Sequence, residues 1–579
     1  MNPVSGQKAR VDETSSNSRR TALTIKSSSW FWLPPAAVLL LFANGRNAVP
    51  LAAWLAPVLL LRFVRKQRLI IGLPVAYLVC VIALRFQFRG ALVGPLLYVA
   101  VTVYGTFLAL PYIIDRLVSR KLDGFAAALV FPAAWAATEY LVSMAAFAGS
   151  GTSIAYSQYG DLPLLQILSV TGLWGVTFLI GWFAAVCNWV WEEGLNSRRA
   201  TVGATVCVTT IAALILLGGA RLTLLPPSSQ TVRVASLTKK GSPWDPSDDI
   251  WERAVYRRTS KKEVDEIRQQ LSTWDHKLDR VLNQKATTSE VEEIRGKFNA
   301  GNRDLLFRAE REAQAGAEVV FWAERAGQVL KQDEPALIEE GRKLAAKYQA
   351  YLGMALATWT PGRKLPLENK LVLIEPSGQI AWEYFKSYPA FEEAEVLIAK
   401  DRKVKIADTP YGRLSAIICY DADFPRLPAQ AGALGTDIVL DPAGDTPAIS
   451  PRHTHLASFR AIEQGFNLVR PTDYGLSAAY DYQGRQIAAA DYSQARDHVM
   501  VAQVPTRGVR TIYSLLGDWF AWACIAAVAL LSGKALRARR TTAGKSFVPR
   551  RTELGPEHAQ AKSLQNRIRP NRNVNSSRD

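Results

Sequence analysis

At 579 residues the chain is too long for one ordinary domain, and its formal net charge of +18 raises the question of a nucleic-acid partner. The location of the charge argues against one: residues 534–579 hold twelve Lys or Arg against three acids and residues 1–28 five against two, so the ends carry +12 of the +18. Their Ser/Asn/Pro/Arg-rich composition suits disordered tails beside an anionic lipid leaflet.

After the basic leader (1–28), residues 29–219 are a succession of apolar segments, at roughly 29–44, 48–64, 69–86, 91–113, 124–148, 164–191 and 201–219, with an eighth at 512–533. A helix needs about 20 residues to cross a bilayer, so the pattern predicts a polytopic membrane domain of about eight spans. The first segment follows a long polar leader and is followed at once by others, so it does not read as a cleaved signal peptide. The loops after spans two, four and six carry Arg62, Arg65, Lys66, Arg68, Arg116, Arg120, Lys121, Arg198 and Arg199, and those after spans one, three and five only Arg46, Arg85 and Arg89. By the positive-inside rule both termini are expected in the cytoplasm and the polar domain outside it. Glu139 lies inside the fifth apolar segment. A carboxylate there is a functional candidate or a partner in a hydrogen bond to a neighbouring span.

Residues 231–505 alternate β-rich runs with amphipathic ones. VRVASL (232–237), AEVVFWAE (317–324), YLGMALATWT (351–360), NKLVLIEPSGQIAWEYFK (369–386), LSAIICYD (414–421), DIVLDPA (437–443) and FNLVRPTD (466–473) read as strands. RDLLFRAEREAQA, ALIEEGRKLAAKYQA and HTHLASFRAIEQ read as helices between them, an α/β layered fold. Residues 256–300 are highly charged with apolar positions at helical spacing, which suits a solvated helical hairpin inserted in the domain or, alternatively, a lid or docking element.

Cys419 is the one cysteine in this domain; Cys80, Cys187, Cys207 and Cys524 all fall in apolar runs. It closes the apolar stretch LSAII and is followed by polar and turn-forming residues, so it stands at the carboxyl end of a strand, where open α/β folds place chemistry. With no partner thiol in its domain, it serves packing or reactivity. Glu324 and Lys386 also stand at predicted strand ends. An acid, an amine and a thiol at one mouth make a workable set: a base for the thiol, a nucleophile, and a cation that joins the Tyr420 backbone N–H in holding an oxyanion. His453 and His455 sit on a predicted helix with no ligand cluster evident, so no metal is expected.

These residues resemble the nitrilase superfamily, and more closely its membrane-embedded branch, the apolipoprotein N-acyltransferases. IICYDADFP (417–425) is similar to the family's nucleophile segment, FWAE (321–324) to its Trp-Pro-Glu strand end and EYFK (383–386) to its Tyr-x-Lys segment. The run 453–485 resembles the family's RAxE…LVRxxxxGxS…G stretch. In the membrane part, residues 132–141, 153–180 and 511–520 resemble its fifth span, the entry to its sixth and its final return to the bilayer. The resemblance implies an α-β-β-α sandwich, with Cys419 as nucleophile, Glu324 as base and Lys386 as oxyanion cation. It also places Trp244 near the site and gives Tyr420 and Asp421 supporting roles.

The sequence departs from the family in four places. Ala323 replaces a proline, which is expected to loosen the turn before Glu324. The family's PFGE element appears as PAFEEAE (389–395), leaving Glu392 or Glu393 as the equivalent acid. An aromatic loop is replaced by DPAGDTPAI (441–449), and the 256–300 insertion is additional. The implied activity is acyl transfer from a membrane phospholipid, through a Cys419 thioester, to the N-terminal amine of a diacylated apolipoprotein. No cofactor is implied, and the expected location is the inner membrane with the catalytic domain periplasmic. A membrane-tethered amidase or hydrolase, and a degenerate scaffold, are the rival readings.

Overall fold

The computed structural model describes residues 29–545 apart from 90–93, 146–147, 195, 241–260, 391–392, 394, 399–400 and 496. Trp244, Glu392, the leader 1–28 and residues 546–579 therefore lie outside the described residues, while the start of the basic tail, 534–545, continues the last helix.

Helices occupy the eight apolar segments in order: Leu33–Leu41, Pro50–Lys66, Leu69–Gln87, Gly94–Val118, Val130–Ala145, Leu173–Glu193, Arg198–Leu224 and Trp519–Lys545. Six of the helical stretches among the described residues are long and apolar enough to cross a membrane. The first two helices fall short of that length, so the count of about eight stands at six by this measure. The reason is visible in the second helix, whose last turn carries Arg65 and Lys66. Arg65 makes a bidentate bond to Asp115 on a neighbouring helix, at 2.9 and 2.7 Å, and both side chains are buried. Part of the basic count that reads as a loop signal is thus built into helix packing. Glu139 is likewise engaged within the bundle. Its carboxylate accepts hydrogen bonds from Ser153 Oγ and Thr177 Oγ1, both at 2.6 Å, and from the Ile154 N–H at 3.0 Å.

The rest of the chain folds as two sheets packed face to face. The first runs, in spatial order, Val499–Pro505, Thr231–Leu237, Val319–Trp322, Tyr351–Trp359, Leu367–Ile374 and Ile380–Phe385, with Gly327–Leu330 also pairing with Tyr351–Trp359. The second runs Gln486–Asp491, Leu476–Tyr480, Asn467–Arg470, Ile438–Leu440, Gly412–Ala416 and Ile406–Thr409. Their inner faces share one apolar core that joins Phe321, Leu352 and Leu371 to Leu414, Val439 and Leu468. Helices Thr288–Gln314 and Glu334–Tyr348 pack on the first sheet and Arg452–Gln464 on the second, an α-β-β-α sandwich. The segment NKLVLIEPSGQIAWEYFK is two strands, turning at Gly378 with φ +78°. The inserted region holds helix Lys261–Leu282 and the start of Thr288–Gln314, a single helix that absorbs RDLLFRAEREAQA and opens on a Thr287–Glu290 capping box.

Parallel pairing decides where the chemistry sits. Thr231–Leu237, Val319–Trp322 and Tyr351–Trp359 run parallel in the first sheet, and Gly412–Ala416, Ile438–Leu440 and Asn467–Arg470 do so in the second. Chain segments leaving the carboxyl ends of these strands therefore emerge together. The membrane domain meets the sandwich through specific bonds: Leu173 N–H to Glu463 at 2.9 Å and Arg460 to the Tyr156 hydroxyl at 3.1 Å.

Candidate active site

Cys419 follows the strand Gly412–Ala416 by way of Ile417 and Ile418, both fully buried. Its φ of +53° places a residue with a side chain in the left-handed region, a strained turn that persists only where its surroundings over-determine it. Three bonds do so: the Cys419 N–H donates to Asp441 at 2.8 Å, Arg470 donates to the Cys419 carbonyl at 3.3 Å, and the Ile418 N–H donates to Asp421 at 3.0 Å. Arg470 also pairs with Asp441, so one buried guanidinium braces the turn from both sides.

Glu324 leaves the strand Val319–Trp322 through Ala323. The Ala323 N–H donates to the Leu237 carbonyl at 2.7 Å, a bond that proline has no hydrogen to make. The substitution therefore pins the turn to the neighbouring strand, contrary to the loosening expected. Glu324 Oε1 accepts from Asn369 Nδ2 at 2.7 Å and from Lys386 Nζ at 2.6 Å. Lys386 Nζ also donates to Glu393 at 2.6 Å. Glu393 in turn accepts from the Ala390 N–H at 2.8 Å and from Arg325 at 3.4 Å. Of the two candidate acids after Lys386, the described structure joins Glu393 to the site.

Asp421 links the two halves. Its carboxylate accepts from the Tyr384 hydroxyl at 2.7 Å and the backbone N–H groups of Ser387 at 3.1 Å and Tyr388 at 2.7 Å. Those bonds tie the chain just beyond Lys386 to the turn that carries Cys419. The Tyr420 ring packs edge-on against Phe424, itself stacked on Tyr388.

The electrostatics follow from burial. Cys419, Lys386 and Glu324 are 5, 1 and 7 % exposed. Burial, reinforced by Glu324, holds the Cys419 thiol well above the ordinary cysteine range, with Lys386 and Arg470 opposing. The thiol is neutral at rest. Burial alone would discharge Lys386, but Glu324 and then Glu393 outweigh it and keep the ammonium charged. For Glu393, Lys386 and Arg325 overcome burial and hold the carboxyl below its usual range. Burial raises Asp421 to about 7 against its hydrogen bonds.

Sequence reasoning missed a second layer. His453 Nδ1 lies 2.7 Å from Asp445 Oδ1 and 3.1 Å from Arg470 Nη2, and a ligating atom from each of Cys419, Asp445 and His453 lies within 4.8 Å of the others. A cluster therefore does form around His453, contrary to expectation, while His455 turns away to stack on Tyr159 at 3.7 Å. The spacing would suit a metal ion, but His453 Nδ1 and Asp445 Oδ1 are already engaged with each other, with Arg470 at 3.1 Å from Nδ1. Asp441 and Asp445 lie just beyond the strand Ile438–Leu440 and Arg470 ends Asn467–Arg470, well removed along the chain. Their one local sign is charge closing an apolar run, a common feature of solvated loops.

Two family profiles match the chain: the apolipoprotein N-acyltransferase N-terminal domain over residues 36–186 and the carbon-nitrogen hydrolase family over residues 299–513. Among curated relatives named apolipoprotein N-acyltransferase, one from Geobacter metallireducens is 24% identical over 463 residues, covering 75% of this chain and 79% of its own. One from Haemophilus influenzae is 25% identical over 451 residues, covering 75% of this chain and 78% of its own. Among solved structures, an amidase from Nesterenkonia sp. aligns with 48% of this chain and 92% of its own, at 17% identity and a TM-score of 0.33. One profile falls on the membrane helices and the other on the sandwich, and the named relatives are similar to the chain over both, so it joins an apolipoprotein N-acyltransferase N-terminal domain to a carbon-nitrogen hydrolase domain.

Proposed function

We propose that this protein moves a fatty acyl chain from a membrane phospholipid, through a thioester on Cys419, to the N-terminal amine of a diacylglyceryl-cysteine lipoprotein. The observation that carries the reading is the buried Glu324–Lys386–Glu393 ion cluster beside a neutral thiol, in a domain bonded directly to membrane helices.

A protonated thiol is a poor nucleophile, so a base must take its proton as attack proceeds. Glu324 is that base. As Sγ attacks the ester carbonyl carbon, charge develops on the carbonyl oxygen, and Lys386 with the Tyr420 N–H stabilises it. Collapse breaks the ester C–O bond, and Glu324 returns its proton to the departing lysophospholipid oxygen. The amine then attacks the thioester, the C–S bond breaks, and the thiol is restored. Glu393 keeps Lys386 charged throughout and Asp421 fixes the register of the two turns, while the resemblance alone assigns Trp244 to the neighbourhood of the site. The basic tails and loops support cytoplasmic termini, and the family supports an inner-membrane protein with its catalytic domain in the periplasm.

The test is to incubate the purified protein with phospholipid and a diacylated lipopeptide and follow both by mass spectrometry. The expected result is hydroxylamine-labile acylation of the wild type, none of Cys419→Ala, and an N-acylated peptide. Free fatty acid without N-acyl peptide would instead make the protein a hydrolase, and no acylation would make it a scaffold.

A further inference from the structure

The cluster around His453 is not used by the chemistry above, and its composition is specific. His453, Asp445 and Asp423 are 7, 5 and 5 % exposed. Yet His453 Nε2, Asp445 Oδ2 and Asp423 Oδ1 have no hydrogen-bond partner among the described residues. Nε2 and Asp423 Oδ1 face each other across 3.6 Å, just beyond bonding distance. Buried polar atoms left in this state each cost about 1–3 kcal/mol, so a fold keeps them where something else completes them.

We propose that Asp423, Asp445 and His453 form a subsite for a primary ammonium, which receives the acceptor's α-amine on the flank of Cys419. The inference rests on the acyl-transfer reading and deepens it. An ammonium has three donors and no acceptor, which matches two carboxylate oxygens and an imidazole lone pair; water, with two donors and two lone pairs, matches them less well. The position also fits a lipid-anchored acceptor. The Asp423 carbonyl accepts from the N–H and hydroxyl of Ser150, at 2.7 and 2.8 Å, in the loop after the membrane helix Val130–Ala145. Arg452, beside His453, donates to the Gly151 carbonyl at 2.5 Å. The subsite is thus built where the sandwich meets the membrane domain. One of its three residues, Asp445, lies in the loop 441–449 that replaces the family's aromatic segment.

Burial would keep the imidazole neutral, but Asp445 outweighs it, with Arg470 opposing and Asp423 assisting, and raises the ring to about 9. The empty subsite therefore holds one positive charge, a proton. An entering ammonium brings the same charge to the same carboxylates and displaces that proton to solvent. Nε2 then takes one of the three ammonium protons. The amine nitrogen attacks the thioester carbonyl carbon, Glu324 takes a second proton as the C–S bond breaks, and passes it to the Cys419 sulfur. The third stays on the amide nitrogen, so one amide, one thiol and one released proton balance the step.

The experiment separates the two half-reactions. Full-length protein carrying Asp423→Asn, Asp445→Asn or His453→Gln is acylated by phospholipid, then chased with a synthetic diacylated peptide bearing a free or an acetylated amine. Thioester formation is expected to stay close to wild type, while transfer to the free amine slows about tenfold or more in each variant, as losing one charge-assisted bond predicts. The peptide concentration for half-maximal transfer should rise, and hydrolysis of the thioester should not change. Transfer at the wild-type rate would overturn the subsite alone, as would acylation and transfer falling by one common factor, the mark of a structural role. No thioester on the wild type would overturn the underlying reading as well. His455→Gln, which alters only the stack on Tyr159, should leave the transfer rate intact.

Discussion

Glu393 offers the sharpest check on the site, because Gln at that position isolates charge from hydrogen bonding. Its Oε2 accepts both the Lys386 ammonium at 2.6 Å and the Ala390 N–H at 2.8 Å. A glutamine carbonyl at the Oε2 position keeps both contacts. The amide group then faces Arg325, which is 30 % exposed and free to swing outward. What is lost is the negative charge. A bond from a donor to a charged group contributes about 1.5–3 kcal/mol against about 0.5–1.5 for a neutral one, so the difference is about 1–1.5 kcal/mol. With that charge gone, the Lys386 ammonium is held by Glu324 alone and is less firmly set for the oxyanion. The first-order rate of thioester formation, followed in a single turnover with a fluorescent-acyl phospholipid, should fall about 5- to 15-fold in Glu393→Gln. Glu393→Ala removes the contacts too and should fall at least about 100-fold. Glu392→Gln should be unaffected. If Glu392→Gln is slowed while Glu393→Gln acylates normally, the reasoning is refuted.

Two further outcomes follow from the same geometry. The raised thiol pKa means little thiolate below the ordinary range, so alkylation of Cys419 by iodoacetamide, with the other four cysteines replaced, should be slow at pH 7 and rise about tenfold per pH unit through pH 9; a plateau near neutrality would show a thiolate already formed. Glu139→Ala strands two hydroxyls and an N–H inside the bundle and should cost about 3–5 kcal/mol in detergent-solubilised stability, with Glu139→Gln milder, whereas an Ala variant that melts like wild type but fails to transfer acyl groups would give Glu139 a direct role.

How far the site was legible depends on how far each residue's partners lie along the chain. Cys419 announces itself by ending an apolar run in polar residues, a local signal that the strand end and its left-handed turn then explain. Glu324 and Lys386 stand at strand ends too, yet so do many solvated charges, and it took the resemblance to single them out. The bond from Lys386 to Glu393 needed coordinates to see, because the altered spacing after Lys386 leaves two adjacent acids with identical local chemistry. The membrane count, about eight by composition against six helices long and apolar enough among the described residues, differs for a related reason. Composition registers Arg62 and Arg65 as loop charges, whereas tertiary pairing with Glu192 and Asp115 lets a short helix carry them inside the bundle.

The same distinction explains why the thiol and the histidine cluster answer different questions. Cys419, Glu324 and Lys386 are what acylation needs, and a hydrolase would need them equally. What separates an amine acceptor from water is a place that favours an ammonium near the sulfur, and no element of the Glu–Lys–Cys set supplies it. Asp445 and His453 lie in and just beyond the loop where this sequence leaves its family's pattern, and Asp423 lies four residues past the nucleophile. The departure that makes the acceptor hardest to read by resemblance therefore also contributes Asp445 to a group of three buried polar atoms without a hydrogen-bond partner among the described residues, on segments bonded to the membrane domain. A chain that had lost its acceptor would be under no constraint to bury a carboxylate pair and an imidazole there, since apolar residues of similar size fill such a space at lower cost.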